Sequence, residues 1–168
     1  LSDTPNTGID GSVQLTFPAG SRQVWVTGLA MHRDSVNQKI HALSNWRVPD
    51  SRTAVNSGYN GTSTTTSAFV QDEISVMDEL KVYLGGRLDK WETRGDNFSV
   101  IAPIGSSIYP TRSTSAFSPK ASAVYKPTDE LVLRASFGKS FRAPANQDLY
   151  TSSTSRGRTT TGDPNLQP

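Results

Sequence analysis

Few residues in this chain have a type and spacing that could do chemistry. There are two histidines, His32 and His41, and no cysteine. A thiolate metal site and a disulfide framework are thereby excluded. His32 falls in a strand-like stretch and His41 in a polar one. Neither sits in a ligand-spaced cluster, so both read as ordinary histidines of an outer surface or a lumen, and no metal site is expected. Serines abound, but no GxSxG elbow and no P-loop occurs. Nothing points to an enzyme, and no cofactor is expected. Binding chemistry remains. Arg47, Arg52, Arg94, Arg112, Arg156 and Arg158 fall in polar stretches, with Trp46, Tyr59 and Tyr109 among them. Guanidinium forks beside aromatic faces suit a bulky anionic ligand such as a metal chelate. The candidate ligand set is Trp46, Arg47, Arg94, Tyr109, Arg112, Arg156 and Arg158. Asp50, Asp96, Asp148 and Asp163 offset much of that charge, so a plainly solvated set of loops is the competing reading.

The elements that must position these residues read as β-strands. Leu131 to Phe141 alternates: Leu131, Leu133, Ala135, Phe137 and Phe141 on one parity, Arg134, Ser136, Ser140 and Arg142 on the other. A period of two puts the two sets on opposite faces. The run then breaks at Ala143-Pro144. The same alternation predicts strands over 12–17, 23–39, 67–77, 80–92 and 114–125. In 23–39 the parity is blurred. Asp72 violates the apolar side of its strand, where Ala68, Val70, Ile74 and Val76 lie. Residues 18–21, 78–79 and 126–129 read as tight turns. Long polar loops are predicted over 40–66, 93–112 and 143–168.

Short and long connections therefore alternate along the chain. In an antiparallel up-and-down meander all short turns fall at one end and all long loops at the other. Short turns at one end and long loops at the other mark bacterial outer-membrane barrels. A soluble carbohydrate-binding β-sandwich can show similar strands without that segregation. Hydrophobic residues make up 34% of the chain and the net charge is +2. Neither number suggests a nucleic-acid partner, and the patterning of the apolar residues argues against disorder. No apolar run has the length of a membrane helix, which is no argument against a strand-built membrane domain.

Three motifs carry a family resemblance. Ser136-Phe137-Gly138-Lys139-Ser140-Phe141-Arg142-Ala143-Pro144 with Asp148-Leu149-Tyr150 resembles the "GxSFRAP…ELY" segment of TonB-dependent outer-membrane receptors. Asp163 to Pro168 is similar to the "NPNLKPE" motif that follows it. Phe69-Val70-Gln71-Asp72-Glu73 and Leu84-Gly85-Gly86-Arg87-Leu88-Asp89 are similar to the family's "YxQDE…GxRxD" pair. Together they cover residues 67–168.

The resemblance implies an all-β fold: an antiparallel meander of about six long strands, part of a transmembrane barrel of about 22 strands. On this reading residues 1–168 are an internal piece of the barrel domain. The plug domain, the TonB-engaging segment and the C-terminal barrel strands lie elsewhere. Glu73, Arg87, Asp89, Arg134 and Arg142 would line the lumen and face the plug. Phe141 would join an interfacial aromatic girdle. Outer-membrane lipid and lipopolysaccharide, the protein's own plug, the TonB complex and a small-molecule ligand are the implied partners. The implied localisation is the bacterial outer membrane. The implied function is active uptake of a scarce nutrient, a ferric siderophore in the first instance. A passive porin or structural barrel is the alternative.

Overall fold

The structure, a computed structural model, describes residues 1–155 and 158–168. One antiparallel sheet dominates it. Its strands are β1 (Ser2–Asp3), β2 (Asn6–Pro18), β3 (Gln23–Leu43), β4 (Arg52–Met77), β5 (Leu80–Ser99), β6 (Gly105–Tyr125) and β7 (Leu133–Gly138), in the order β1-β3-β4-β5-β6-β7 with β2 also on β3. β1 and β2 pair with the same edge of β3 and act as one strand interrupted before Asn6. Pro5 at the interruption has no N–H to give the ladder. A helical turn, α1 (Asn146–Tyr150), and a small hairpin, β8 (Ser152–Ser155) with β9 (Arg158–Thr161), complete the chain. No helix among the described residues is long and apolar enough to cross a membrane.

The register sorts the side chains into two faces. On one face the cross-strand rows run Leu80–Tyr125–Leu133, then Ile74–Val82–Ala123–Ala135, then Phe17–Trp25–Asp72–Leu84–Ala121–Phe137. Leu15–Thr27–Val70–Gly86–Pro119 and Val13–Leu29–Ala68–Leu88–Phe117 follow. These rows form an apolar belt about 27 Å tall along the strands, at ~3.4 Å per residue. Its large side chains are exposed, Leu15 by 63% and Phe117 by 59%. Among the described residues no other part of the chain covers them. Asp72 is the polar interruption read from the sequence. It sits between Trp25 and Leu84, and Gln23 donates to its Oδ2 at 3.3 Å.

The opposite face is polar near the tight turns and becomes the molecule's interior further up. Its buried apolar cluster is Tyr59, Trp91, Leu149 and Tyr150, with Val36, Tyr109, Phe141 and Ala143 packed against it. The blurred parity of 23–39 resolves here. Val24, Val26, Ala30 and His32 share the polar face, while Trp25 and Leu29 join the belt and Met31 lies on the same side one row beyond it.

The strands differ most from the sequence reading in their length. The pattern predicts loop over 40–66, yet β3 runs to Leu43 and β4 starts at Arg52. Likewise β5 continues to Ser99 and β6 begins at Gly105, inside the expected loop 93–112. Only 44–51 and 100–104 remain as connections at that end. These extensions are rich in Ser, Thr, Asn and Gly on both faces, so no apolar alternation marks them. β-Branched Thr still favours the extended backbone.

β7 is shorter than expected, for a local reason. Lys139 N–H donates to the Pro119 carbonyl at 3.0 Å, but Pro119 has no N–H to return. The ladder ends there. The chain then leaves the edge of the sheet and crosses the polar face to α1. Phe141 thus packs on the interior cluster rather than in a girdle on the apolar face.

Candidate functional site

The polar face holds the chemistry, and its lower part is built from charged networks. Asp89 is 2% exposed. Its Oδ1 accepts from Ser67 Oγ at 2.6 Å and from Arg87 Nε at 2.7 Å, while Arg87 Nη2 reaches Ser67 Oγ at 2.7 Å. Lys81 Nζ donates to Glu73 Oε1 at 2.7 Å. Register alone explains these meetings: Ser67 is directly opposite Asp89, and Glu73 opposite Tyr83, two residues from Lys81. Arg134 lies on the same face opposite Val124. It has no ion pair among the described residues, and neither have Lys120 and Lys139. Two adjoining clefts result. One of about 530 Å³ includes Tyr83, Lys120, Lys126 and Arg134 in its lining. One of about 620 Å³ includes Phe69, Arg87, Lys120, Lys139 and Phe141. Arg142 is exposed in the segment that leaves β7.

The upper part is built around α1. Gly61 and Gly95 face each other across β4 and β5. A Cβ on Gly95 would stand 2.6 Å from Tyr150 Cδ2, and one on Gly61 2.9 Å from the same atom. The Tyr150 ring fills the slot that the two missing side chains leave. Its hydroxyl meets Thr93 Oγ1 at 2.8 Å, and its ring stacks on Tyr109 with centroids 5.5 Å apart. Asn97 Nδ2 donates to the Tyr109 hydroxyl at 3.1 Å and to the Tyr150 carbonyl at 3.3 Å. Burial pushes the Tyr150 phenol above its ordinary range, against the lowering effects of the Thr93 hydrogen bond and of nearby Arg112. Arg112 Nη1 and Asn146 Oδ1 are buried here without a hydrogen-bond partner among the described residues.

The sequence-derived ligand set is divided by this geometry. Tyr109 and Arg112 come together with Tyr150, which the residue pattern does not single out. Its only signal is its place in the Asp148-Leu149-Tyr150 motif. Trp46 and Arg47 sit in the exposed 44–51 connection, the guanidinium 4.9 Å above the indole. Arg158 is exposed on β9. Arg94 is on β5, opposite Thr62, on the other face of the sheet from Arg112 and Tyr109. Arg156 lies outside the described residues. Both histidines meet carboxylates: His32 contacts Asp10 at 2.6 Å and Asp34 at 2.7 Å, and His41 is 3.5 Å from Asp3. No group of three or more His, Cys, Asp or Glu among the described residues stands ready for a metal ion.

Comparison with known proteins agrees with this architecture. The family model "TonB dependent receptor-like, beta-barrel" matches residues 2–168. Two solved structures of the ferric-catecholate import receptor Fiu from E. coli K12 share the fold. The closed form superposes with a TM-score of 0.62 at 18% identity, over 94% of this chain and 27% of that one. The open form gives 0.52 at 17% identity, over 76% and 24%. This chain thus spans about a quarter of that receptor's length. No curated protein matches by sequence. An exposed apolar belt on one face of long antiparallel strands, a charged and filled opposite face, and a family match across the chain have one explanation: the chain belongs to the TonB-dependent receptors, as a section of their β-barrel in the bacterial outer membrane.

Proposed function

We propose that the receptor containing this barrel section imports an anionic metal chelate, in the first instance a ferric siderophore. The observation that carries the reading is the charge of the polar face. Lys120, Arg134 and Lys139 line two adjoining clefts without an ion-pair partner among the described residues, beside the carboxylates of Asp78, Glu79 and Asp89 in the same lining. Above them Tyr109, half-buried and stacked on the buried Tyr150, lies on the same face as Arg112, whose Nη1 has no hydrogen-bond partner among the described residues. An anionic chelate with aromatic arms complements such a surface by charge and by stacking. Trp46, Arg47 and Arg158 would add contacts from the outer end. Arg94 faces away and is left out of this set. The structural neighbour Fiu is a ferric-catecholate import receptor, which supports the ligand class.

The same face would meet the plug domain. Glu73, Arg87 and Asp89 are already satisfied by Lys81, by each other and by Ser67. Arg134 and Arg142 are therefore the members of the plug-facing set with charge to spare. Uptake would be driven through the TonB complex, so energised cells should accumulate ligand while unenergised cells only adsorb it.

The test is a titration of the whole receptor with ferric siderophores, cobalamin, haem and neutral oligosaccharides. Arg112→Ala should weaken binding of an anionic chelate roughly tenfold, the order of one lost charge-assisted hydrogen bond. Receptor abundance should not change. Binding of a neutral glycan alone, indifferent to Arg112→Ala, would sink the chelate reading.

A further inference from the structure

Asp72 is the one charged side chain in the rows of the apolar belt, and its carboxylate is poorly met. It occupies the middle row, with Trp25 and Leu84 directly opposite it on the neighbouring strands. Its Oδ2 accepts one long hydrogen bond, from Gln23 Nε2 at 3.3 Å, and its Oδ1 is buried without a partner among the described residues. It forms no ion pair among those residues either. Gln23 stands on the same face, one row nearer the turns and opposite Ile74. Its amide carries a second N–H, which the bond to Asp72 leaves free. Just above Asp72 the belt is recessed. A groove of about 590 Å³ opens there, with Trp25, Asp72 and Leu84 at one end, Phe117 at the other, and Val70 and Gly86 between. A Cβ on Gly86 would stand 2.8 Å from the Phe117 ring, so the groove keeps its depth only with glycine at that position.

We propose that this groove is the contact surface through which two copies of the receptor pair in the plane of the membrane. A carboxylate at the middle of a lipid-facing belt is costly unless something brings it a donor. An acyl chain fills an apolar groove but has no N–H or O–H to give, and water is scarce at that depth. The occupant must therefore combine apolar surface with a hydrogen-bond donor at the same height. A second copy supplies both. About a two-fold axis along the membrane normal, Gln23 of each copy lies at the level of Asp72 of the other, and the contact is reciprocal. The spare amide N–H of Gln23 then meets the under-used carboxylate. Packing at a recess floored by glycine with polar side chains as the specific link is the usual way that membrane-embedded surfaces associate. The proposal rests on the outward face lying in the membrane. It does not depend on which ligand the receptor imports.

The experiment uses the whole receptor in lipid vesicles over a range of protein-to-lipid ratios, with energy transfer between donor- and acceptor-labelled copies as the readout. The wild type should form pairs. Asp72→Leu removes the acceptor and Gln23→Leu the donor. Each should weaken pairing roughly tenfold, the order of two hydrogen bonds between membrane-embedded surfaces. The double variant should lose no more than either single, because the two residues form one contact. Asp72→Asn, which still accepts, should keep most of the pairing. Leu133→Ala, in the belt but on β7 and outside the groove, should change nothing. Both leucine substitutions turn an apolar side chain toward lipid, so neither should hinder assembly of the barrel. A wild type that stays monomeric at every ratio overturns the proposal, whatever else the groove then holds. Wild-type pairing in both Asp72→Leu and Gln23→Leu also overturns it. So does an equal loss in Leu133→Ala, since the association would then be unspecific. Ligand titration of the same variants should be unchanged, because both residues face away from the polar face, which keeps this outcome separate from the import reading.

Discussion

The two ends of the same strands are stabilised by different means. From the tight turns up to the Val13–Leu29–Ala68–Leu88–Phe117 row, the ladder buries nothing large on its outer face. The bilayer serves as its apolar environment, and the inner face carries charge. Beyond that row both faces are polar, and the same strands must find their packing within the protein. They do so through α1, whose Leu149 and Tyr150 join Tyr59 and Trp91 in the one buried cluster among the described residues. In the lower half, side-chain parity carries the energetics. In the upper half, a docked segment carries them, and parity alone says little.

The contrast between the two ends breaks most readily at the belt. Val70→Arg puts a cation at the middle of the apolar face and should cost about 2–4 kcal/mol, as lipid-facing arginine does near the midplane. Gln71→Arg, one residue on, points to the wet face and should cost well under ~1 kcal/mol. Urea unfolding of the receptor in lipid vesicles measures both. Equal penalties would mean that the face assignment is wrong.

Gly95→Val tests the upper half. Its new Cβ would meet both the Tyr150 ring and the Asn60 carbonyl oxygen at 2.6 Å. Overpacking of this kind costs about 1–3 kcal/mol. α1 should lift off, with Trp91 fluorescence shifting to the red and residues 143–155 becoming open to protease. Gly11→Ala is the control, since nothing lies within 4 Å of its Cβ. If the two variants behave alike, the glycine slot does not hold α1.

Tyr150→Phe removes one hydroxyl from the same cluster and should cost about 1 kcal/mol. It also changes the response to alkali. The folded phenol's pKa is raised by burial, so its contribution is complete below the ordinary tyrosine value of about 10. The contribution is lost as pH climbs through the higher folded value. Docking of α1 in the wild type should weaken over that alkaline range, and the Phe variant should respond less. Indistinguishable pH profiles would remove Tyr150 as the group responsible.

The smallest effect is expected at Lys81. Its pairing with Glu73 is short, but the lysine side chain is 47% exposed on the wet face. Exposed pairs contribute little once side-chain ordering and screening are counted. Lys81→Met should leave the unfolding midpoint within error of wild type. A clear drop would show that the lower polar face is drier than its exposure suggests.

The sequence by itself determined the all-β class, the belt and the facing of Glu73, Arg87, Asp89 and Arg134. Strict alternation at Leu133, Ala135 and Phe137, and at Leu80, Val82 and Leu84, leaves a strand only one way to sit with one face in lipid. The tight turns were legible too, because Pro, Gly and Asp punctuate them. Tertiary structure decided the rest. Residues 52–66 form strand although no apolar alternation marks them, because pairing with β3 and β5 satisfies their backbone groups. The end of β7 depends on Pro119 of the neighbouring strand, and no periodicity within 131–142 could foretell it. Tyr150 meets Thr93, Gly61 and Gly95 only because the chain crosses the sheet. Arg94 and Arg112 looked alike as loop cations, yet strand register sends them to opposite faces. A side chain's face follows from local pattern only where one face is apolar. Elsewhere it is fixed by which strand pairs with which, and at what offset.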